Sequence, residues 1–450
     1  MRLLAATGGL GFTPPDPRRS FYPALERAPH AIVADAGSAD IGPLFLGSDE
    51  PYNDPQWERL DLERLLEGVD RLGVPLIVGS CGGAGTDRGV EAYARIVDQI
   101  GRRRGRSYRT AVIFAEQTRE WLREQIRPGP GGRGATPTTP LLDEPIEEAI
   151  QASDRLVAAM GPQPILRALG DGAQVVLAGR ACDDALFAAA GIRHGAGPAV
   201  AYLAGKVLEN ASLVAEPFIL RESILADLDG DELVLEPMLA EQRCTVVSVG
   251  AELMYERRTP LEQHGPEGVL DLSKIEIEQL DERRVRLRGA VYREAAPTLK
   301  LEGAGAAGFR SMCVAGCRDP RMIAAIDSIL DDLRTRVQAT GAQVATHVFG
   351  RDAVMGPLEP VRSQPHEAGI VVETLAATQA EANSAALLAK RLLFSAKFPG
   401  QKQTGGSILS MIDEFVECGR SYRWTVNHVI AIADAAAPFR IEMRTLGGAR

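Results

Sequence analysis

Short apolar runs alternate with longer amphipathic stretches along the first part of the chain. The runs contain few polar side chains, which is typical of strands that a parallel sheet buries on both faces. Between two of them, leucines and a valine recur at helical spacing over residues 54–72. This alternation predicts an α/β fold with a doubly wound, mostly parallel sheet. The predicted strands are residues 2–7, 31–34, 76–78, 110–114 and 175–178.

A different pattern follows over residues 217–295. Short runs at 232–235, 244–249 and 275–277 are separated by polar turns. Residues 280–287 have the pattern of a hairpin turn and a returning strand. We therefore expect an antiparallel elaboration of the first domain.

The last part of the chain has another order of elements. It reads β-α-β-β-α-β, which is the split βαβ order of a ferredoxin-like α+β domain. The predicted strands are residues 311–315, 343–349, 369–375 and 423–429, and the predicted helices are 319–339 and 378–396. The sequence thus predicts two domains, an α/β domain over residues 1–295 and a ferredoxin-like domain over residues 296–450.

A glycine-rich turn follows the predicted strand 76–78 and leads into a helix. Glycine leaves the backbone N–H groups open to close approach, and Thr86 or Asp87 is placed to cap the helix. Free N–H groups and the helix dipole then favour an anion at one point. The alternative is a glycine-rich turn that binds nothing. The predicted substrate-binding residues are Ser80, Gly82, Gly83 and Gly85.

Polar side chains follow two other predicted strands. Asp35 comes directly after residues 31–34, with Ser38 in the same turn, and Arg180 and Asp183 follow the later run. Open α/β sheets place their sites at the carboxyl ends of strands, so these residues are candidates for one site. An arginine suits a carboxylate or phosphate, and an aspartate can act as a base, a metal ligand or a simple helix cap. We predict catalytic roles for Asp35, Arg180 and Asp183, and a substrate contact for Ser38.

Two loops of the second half carry lysines. Lys300 lies in residues 298–303, and we predict that it is a catalytic residue that reaches the same substrate. Lys402, Gly405 and Gly406 lie in a glycine-rich loop, and we predict that they hold an anionic substrate. A mobile loop without a ligand is the alternative.

The amino-acid composition disfavours several classes of function. The formal net charge of −10 disfavours a nucleic-acid or anionic-membrane surface. No apolar run approaches the roughly 20 residues of a membrane helix. The six cysteines are scattered without zinc-finger or thioredoxin spacing, which favours reduced thiols. The first residues are too rich in glycine for a signal peptide, so a cytoplasmic location is expected.

Six segments, taken in order, resemble the acyclic terpene utilisation AtuA family. The resemblance implies a cytoplasmic protein linked to the catabolism of branched isoprenoid acids. It also implies a small ferredoxin-fold partner protein. The segments are residues 35–38, 79–85, 175–187, 206–209, 300–303 and 365–369.

These observations favour an enzyme that acts on a small branched carboxylate or an acyl-CoA. The enzyme would be a lyase, either a hydro-lyase or a carbon–carbon lyase. Such an enzyme needs a site that binds the anionic group of the substrate, a base that removes a proton beside a carbonyl, and a means of stabilising the enolate. No cofactor motif is complete. Asp35 and Asp183 are candidate ligands for Mg²⁺, and a CoA thioester is a candidate substrate.

Two alternatives belong to other classes. One is a non-catalytic subunit that binds an acyl ligand and works with the small ferredoxin-fold partner. The other, a nucleotide-dependent oxidoreductase, depends on the glycines at 8, 9 and 11 alone, where the full Gly-x-Gly-x-x-Gly pattern is missing. For an α/β protein of this size we also expect a homo-oligomer.

Overall fold

The computed structural model describes residues 1–11, 16–37, 41–127, 135–137, 142, 144–257, 259–361, 363–402, 404 and 408–448. By their contacts these form two compact units, residues 1–305 with 424–450, and residues 306–423. The predicted domains, 1–295 and 296–450, differ from the units in the segments 296–305 and 424–450. Residues 440–447 belong to the first unit because they pair with an antiparallel neighbour at residues 107–114. The predicted division into domains at residue 295 stays a prediction.

The first unit contains most of the helices and strands. Its helices are α1 (Phe21–Glu26), α2 (Leu44–Ser48), α3 (Pro55–Leu72), α4 (Asp87–Arg104), α5 (Arg119–Ile126), α6 (Ile146–Ala152), α7 (Pro162–Gly170), α8 (Asp183–Arg193), α9 (Pro198–Leu208) and α10 (Val246–Met254), with a 3₁₀ turn at Ala211–Val214. Its first strands are β1 (Arg2–Ala5), β2 (Ala31–Asp35), β3 (Leu76–Gly79), β4 (Ser107–Phe114), β5 (Ala135–Pro137), β6 (Arg155–Ala159), β7 (Val175–Ala178) and β8 (Ala215–Glu216). Later strands are β9 (Ile224–Asp229), β10 (Glu232–Pro237), β11 (Arg243–Cys244), β12 (Glu262–Gly265), β13 (Gly268–Asp271), β14 (Glu276–Gln279), β15 (Val285–Arg288) and β16 (Val291–Glu294).

The remaining elements build the second unit and return to the first. They are β17 (Thr298–Cys317), α11 (Pro320–Ala324), α12 (Ile326–Gln338), β18 (Gln343–Phe349), a 3₁₀ turn at Gly356–Leu358, β19 (Ala368–Ala376), α13 (Gln379–Phe394), β20 (Leu409–Ser410), β21 (Val416–Ala431) and β22 (Arg440–Gly447). The strands β17 and β21 contribute residues to both units. The described residues therefore form thirteen α-helices and several sheets, a mixed α/β fold.

A ten-stranded sheet forms the centre of the first unit. Its order is β14-β15-β10-β9-β1-β2-β3-β7-β4-β22. The middle strands β1, β2, β3, β7 and β4 pair in parallel, and the flanking pairs are antiparallel. Every residue of β2, β3 and β7 is buried, which explains why their sequences are apolar without alternation.

Helices cover both faces of this sheet. Leu62 and Val69 of α3 and Tyr93 of α4 pack in one apolar cluster with alternate sheet residues such as Ile32. The next sheet residue, Val33, points to the other face, where α7, α8 and α9 pack in a second cluster. Because successive side chains of a strand point to opposite faces, both sides of the sheet need apolar residues.

The antiparallel elaboration includes one element that the sequence predicted wrongly. Cys244 does end a short strand, β11, but residues 246–249 form the start of helix α10 and not a strand. Thr245 accepts a hydrogen bond from the backbone N–H of Ser248, and the Ser248 hydroxyl accepts one from the backbone N–H of Thr245. This reciprocal capping box stabilises a helix start, which outweighs the β-propensity of the valines. Residues 280–287, in contrast, do form the predicted turn and returning strand, β15.

In the second unit, β18, β19 and parts of β17 and β21 lie in the order β18-β19-β17-β21 within a seven-stranded sheet. The pairs β17–β19 and β18–β19 are antiparallel. The predicted helix over 319–339 is divided into α11 and α12 at Ala325, and α12 packs against α13. Its buried core includes Leu330, Leu333, Ile370 and Leu393. Among the described residues of the whole chain, no helix is long and apolar enough to cross a membrane.

Candidate functional site

Three turns meet at one edge of the parallel sheet in the first unit. The strands β2, β3 and β7 are parallel neighbours, so their carboxyl ends lie side by side. The backbone N–H of Ser80 donates to the carbonyl of Gly179 at 3.1 Å, and the N–H of Arg180 donates to the carbonyl of Gly85 at 3.0 Å. The backbone N–H of Ala36 donates to the carbonyl of Gly79 at 2.9 Å. The turns that the sequence indicated separately therefore form one structure.

The glycines of these turns are packed against other parts of the protein. A Cβ on Gly82 would lie 2.6 Å from the Cα of Gly89, and a Cβ on Gly83 would press on the side chain of Tyr52. A Cβ on Gly85 would collide with the backbone N of Arg180. Close approach of backbone to backbone thus accounts for these glycines. The anion-binding role of the turn stays a prediction.

Ser80 and Arg180 hold two of the turns together. The Ser80 hydroxyl accepts hydrogen bonds from Nη1 of Arg180 at 3.3 Å and from the backbone N–H of Ala181 at 3.4 Å. Both residues are buried, so these bonds are shielded from water. The structure places Ser80 at the predicted edge as a residue that positions Arg180.

Arg180 is paired with an acid that the sequence analysis did not select. Its Nε and Nη2 donate to the two carboxylate oxygens of Glu302, at 2.8 and 3.4 Å. Burial disfavours the charge of Glu302, but the charges of Arg180 and Lys300 prevail and lower the pKa of Glu302 to about 2. Burial likewise opposes the guanidinium charge, yet Glu302 and Asp183 raise the pKa of Arg180. The pair is fully ionised inside the protein.

Two aspartates beside Arg180 have different environments. Asp183 lies 3.6 Å from Nη1 of Arg180, and its side chain is partly exposed. Burial raises the pKa of Asp35 well above its usual range, and the charge of Asp183 raises it further. One Asp35 oxygen accepts a hydrogen bond from the backbone N–H of Gly37, and the other, Oδ1, is buried without a hydrogen-bond partner. Burial therefore favours the protonated form of Asp35.

Of the other predicted site residues, the structure places one beside this group at the strand ends. Nζ of Lys300 lies 2.8 Å from the Glu302 carboxylate, so Lys300 does join the strand-end group. Lys402 belongs to the second unit. Ser38, Gly405 and Gly406 lie outside the described residues, and their predicted roles stay predictions.

A cavity of about 580 Å³ opens beside this edge. Its wall includes Asp183 and Asp184 at the start of α8, Lys206 near the end of α9, and Glu209 just after it. The wall also includes Glu256, Arg257, Thr259 and residues 262–265. This volume lies within the range of small-molecule sites in proteins.

The cavity wall contains buried acids with altered ionisation. Burial, with a further contribution from the charge of Asp183, raises the pKa of Asp184 to about 6. Nε2 of Gln263 donates to the Asp184 carboxyl at 2.8 Å. Burial raises the pKa of Glu209 well above its usual range, although Lys206, its ion-pair partner, opposes the shift. The cavity wall therefore contains two acids with raised pKa values, a feature that is common at functional sites.

A protein-family model described as "Acyclic terpene utilisation family protein AtuA" matches residues 30–414. The chain belongs to this family. The matched region contains all three turns, both acids at the start of α8, and Glu302. No curated protein and no solved structure matches the chain.

The described residues of this AtuA-family site include few groups that suit metal binding or a reactive thiolate. Within the described part of the chain, no three His, Cys, Asp or Glu side chains converge on a point that could hold a metal ion. The predicted magnesium ligands, Asp35 and Asp183, supply two carboxyl groups. The raised pKa of Asp35 and the positive charge of the neighbouring Arg180 both disfavour a divalent cation at this point. Burial raises the pKa of the Cys81 and Cys182 thiols, so neither forms the reactive thiolate readily.

Four residues of the AtuA-family site were not selected from the sequence, namely Asp184, Lys206, Glu209 and Glu302. Each stands within a segment that carries the family resemblance, and that was the available signal. Lys206 and Glu209 are three residues apart, a spacing that suits an ion pair but does not indicate a cavity wall. The contact between Arg180 and Glu302 joins residues 122 positions apart, which no local pattern indicates.

Proposed function

We propose that this AtuA-family protein is a lyase or hydro-lyase that acts on a small branched carboxylate or its CoA thioester. The observation that carries the proposal is the meeting of three strand-end turns beside a cavity of about 580 Å³. Family membership connects the chain with the utilisation of acyclic terpenes, whose acids are branched. A CoA group would extend out of the cavity, with the acyl part inside.

The two aspartates supply complementary groups for an elimination. Burial favours the protonated form of Asp35, whereas Arg180 at 3.6 Å favours the charged form of Asp183. With a 3-hydroxyacyl substrate, Asp183 takes the proton from C2, and the C3–O bond breaks as the C2–C3 double bond forms. Asp35 gives its proton to the departing hydroxyl, which leaves as water. Lys300 stabilises the negative charge that develops on the carbonyl oxygen, and Arg180 positions Asp183 and Glu302 beside it.

This proposal predicts a large loss of activity in Asp183→Asn. The test measures dehydration of 3-hydroxyisovaleryl-CoA, or hydration of 3-methylcrotonyl-CoA, by the absorbance of the conjugated thioester. We expect kcat to fall by about 10²–10⁴ in Asp183→Asn and in Asp35→Asn, because each removes one proton-transfer group. Asp171→Asn is the matched control, since Asp171 is an exposed residue at the end of α7.

Two outcomes would contradict the proposal. Unchanged turnover in Asp35→Asn, Asp183→Asn and Arg180→Lys would remove these residues from the chemistry. Absence of turnover with branched hydroxyacyl-CoA, enoyl-CoA and the free acids would remove the lyase itself. Folding of each variant is checked by its thermal unfolding.

A non-catalytic role remains the second candidate, because the second unit exposes apolar side chains. Val354, Leu358 and Val361 are 91%, 78% and 69% exposed. A surface of this kind suits a protein partner, such as the small ferredoxin-fold protein that accompanies the family. In this case the isolated chain binds an acyl ligand without turnover, and product forms only after the partner is added.

The finer classification of the fold is part of the same proposal. Helices on both faces of a parallel centre support a doubly wound first unit. The order β18-β19-β17-β21 with antiparallel pairing supports a ferredoxin-like second unit. We also propose a cytoplasmic location and a homo-oligomeric assembly, which fractionation and light scattering test directly.

A further inference from the structure

One arginine on the cavity wall has an unused hydrogen-bonding edge. Nη1 of Arg257 donates to the backbone carbonyls of Leu253 and Pro260, at 2.9 and 3.2 Å. Nε and Nη2 of the same side chain are buried and have no hydrogen-bond partner among the described residues. Leaving charged donors buried and unpaired is costly, so a missing partner is the simplest reason for this arrangement.

The two unused donors form the side of the guanidinium that binds an oxyanion through two parallel hydrogen bonds. A carboxylate offers two oxygens at the matching spacing, and such charge-assisted pairs are among the strong hydrogen bonds in proteins. Burial lowers the pKa of Arg257, with only the charge of Glu209 opposing it. A bound anion would restore the stability of the charged form.

Other cations near the cavity are already paired. Arg180 uses Nε and Nη2 for Glu302, and Lys206 is paired with Glu209. The wall also contains five acids, namely Asp183, Asp184, Glu209, Glu256 and Glu262. Glu262 is paired with Arg293 and Glu209 with Lys206, and burial raises the pKa values of Asp184 and Glu209. Among the described residues of this wall, Arg257 is thus a cation with donors available to a ligand.

We propose that Arg257 binds the carboxylate of a free branched acid in the cavity of about 580 Å³. This inference rests on the proposed function and names the group that selects its substrate. It assigns acid recognition to Arg257 and not to the glycine turn. A free carboxylate, and not a thioester, is then the anionic group at this position.

The test compares an acid with its uncharged analogue in direct binding. The probes are 3,7-dimethyloct-6-enoate, its primary amide and inorganic phosphate, measured by titration calorimetry at constant ionic strength. We expect Arg257→Gln to weaken binding of the acid at least tenfold and to leave the amide unchanged, because only the acid gains two charge-assisted bonds. Arg257→Lys should recover part of the affinity, since it keeps the charge without the planar fork.

Arg288→Gln is the matched control, because Arg288 is an exposed arginine of the same unit, paired with Glu276. Equal loss of acid and amide binding in Arg257→Gln would overturn the proposal and show that Arg257 only supports the wall. Unchanged acid binding in that variant would also overturn it. If phosphate binds through Arg257 and the acid does not bind, the proposal is also overturned.

The binding readout separates this inference from the proposed reaction. An acid that binds through Arg257 but is not turned over would contradict the lyase and leave the carboxylate site standing. Turnover of acyl-CoA substrates that is unaffected by Arg257→Gln, with no acid binding in the original protein, would contradict the carboxylate site and leave the lyase standing.

Discussion

Replacing Arg180 by methionine is expected to lower the free energy of unfolding by about 3–5 kcal/mol. Glu302 is buried and ionised, and Arg180 satisfies both of its carboxylate oxygens. Without the guanidinium, Glu302 keeps only Lys300 as a cationic partner, and that side chain is partly exposed. A buried charge that loses its main partner retains the cost of leaving water without the compensating attraction. Equilibrium urea unfolding measures the change.

A double-mutant cycle distinguishes this pair from ordinary packing. The double variant Arg180→Met with Glu302→Gln removes both charges, so it should be more stable than Arg180→Met alone. Arg288→Met is the control for a paired but exposed arginine, and a change below about 1 kcal/mol is expected there. If the losses in the two single variants simply add in the double variant, the pair is not coupled and this account is wrong.

The same pair predicts a specific loss of stability in acid. The pKa of Glu302 is lowered from 4.5 to about 2 in the folded protein, so the unfolded chain binds its proton first as the pH falls. The stability that Glu302 contributes is present above about pH 4.5 and is lost progressively as the pH falls toward 2, by about 3 kcal/mol in total. Glu302→Gln should therefore flatten this part of the curve of unfolding free energy against pH. If the loss of stability between about pH 4.5 and 2 is the same in Glu302→Gln as in the original protein, this role of Glu302 is wrong.

The second large effect is expected for Gly85→Ala, with a loss of about 2–5 kcal/mol in unfolding free energy. Gly85 has a φ of +66°, which an L residue adopts only with strain. In addition, its new Cβ would collide with the backbone N of Arg180, which no side-chain rotation can relieve. Because this contact joins the two turns, activity should fall together with stability.

Gly105 provides a close control for this substitution. Its φ is +63°, nearly the same as that of Gly85, but nothing lies within 4 Å of a Cβ built there. Gly105→Ala should therefore cost only the backbone strain, about 1–2 kcal/mol. The difference between the two variants measures how tightly the turns pack. Equal losses would mean that the turns can separate without cost and that the site is not preorganised.

The sequence by itself determined the central strands and the edge at which candidate residues gather. Residues 31–34, 76–78 and 175–178 are apolar because a parallel sheet buries both of their faces, and this local property can be read without other information. Polar residues directly after such strands must emerge at one edge, and Asp35, Arg180 and Asp183 do. The family resemblance named the AtuA family for the same segments, and the family comparison confirmed it.

Only the tertiary structure decided which residues surround them. The position of β7 between β3 and β4, the pairing of Arg180 with Glu302, and the free edge of Arg257 all depend on segments far apart in the chain. Helix α10 shows the same limit on a smaller scale, because a capping box at its first residue outweighed the strand pattern of its valines. Local patterns report which faces of an element are buried, whereas long-range packing determines what each buried charge meets. For that reason the edge of the site was predictable from the sequence, and its acid partner and cavity were not.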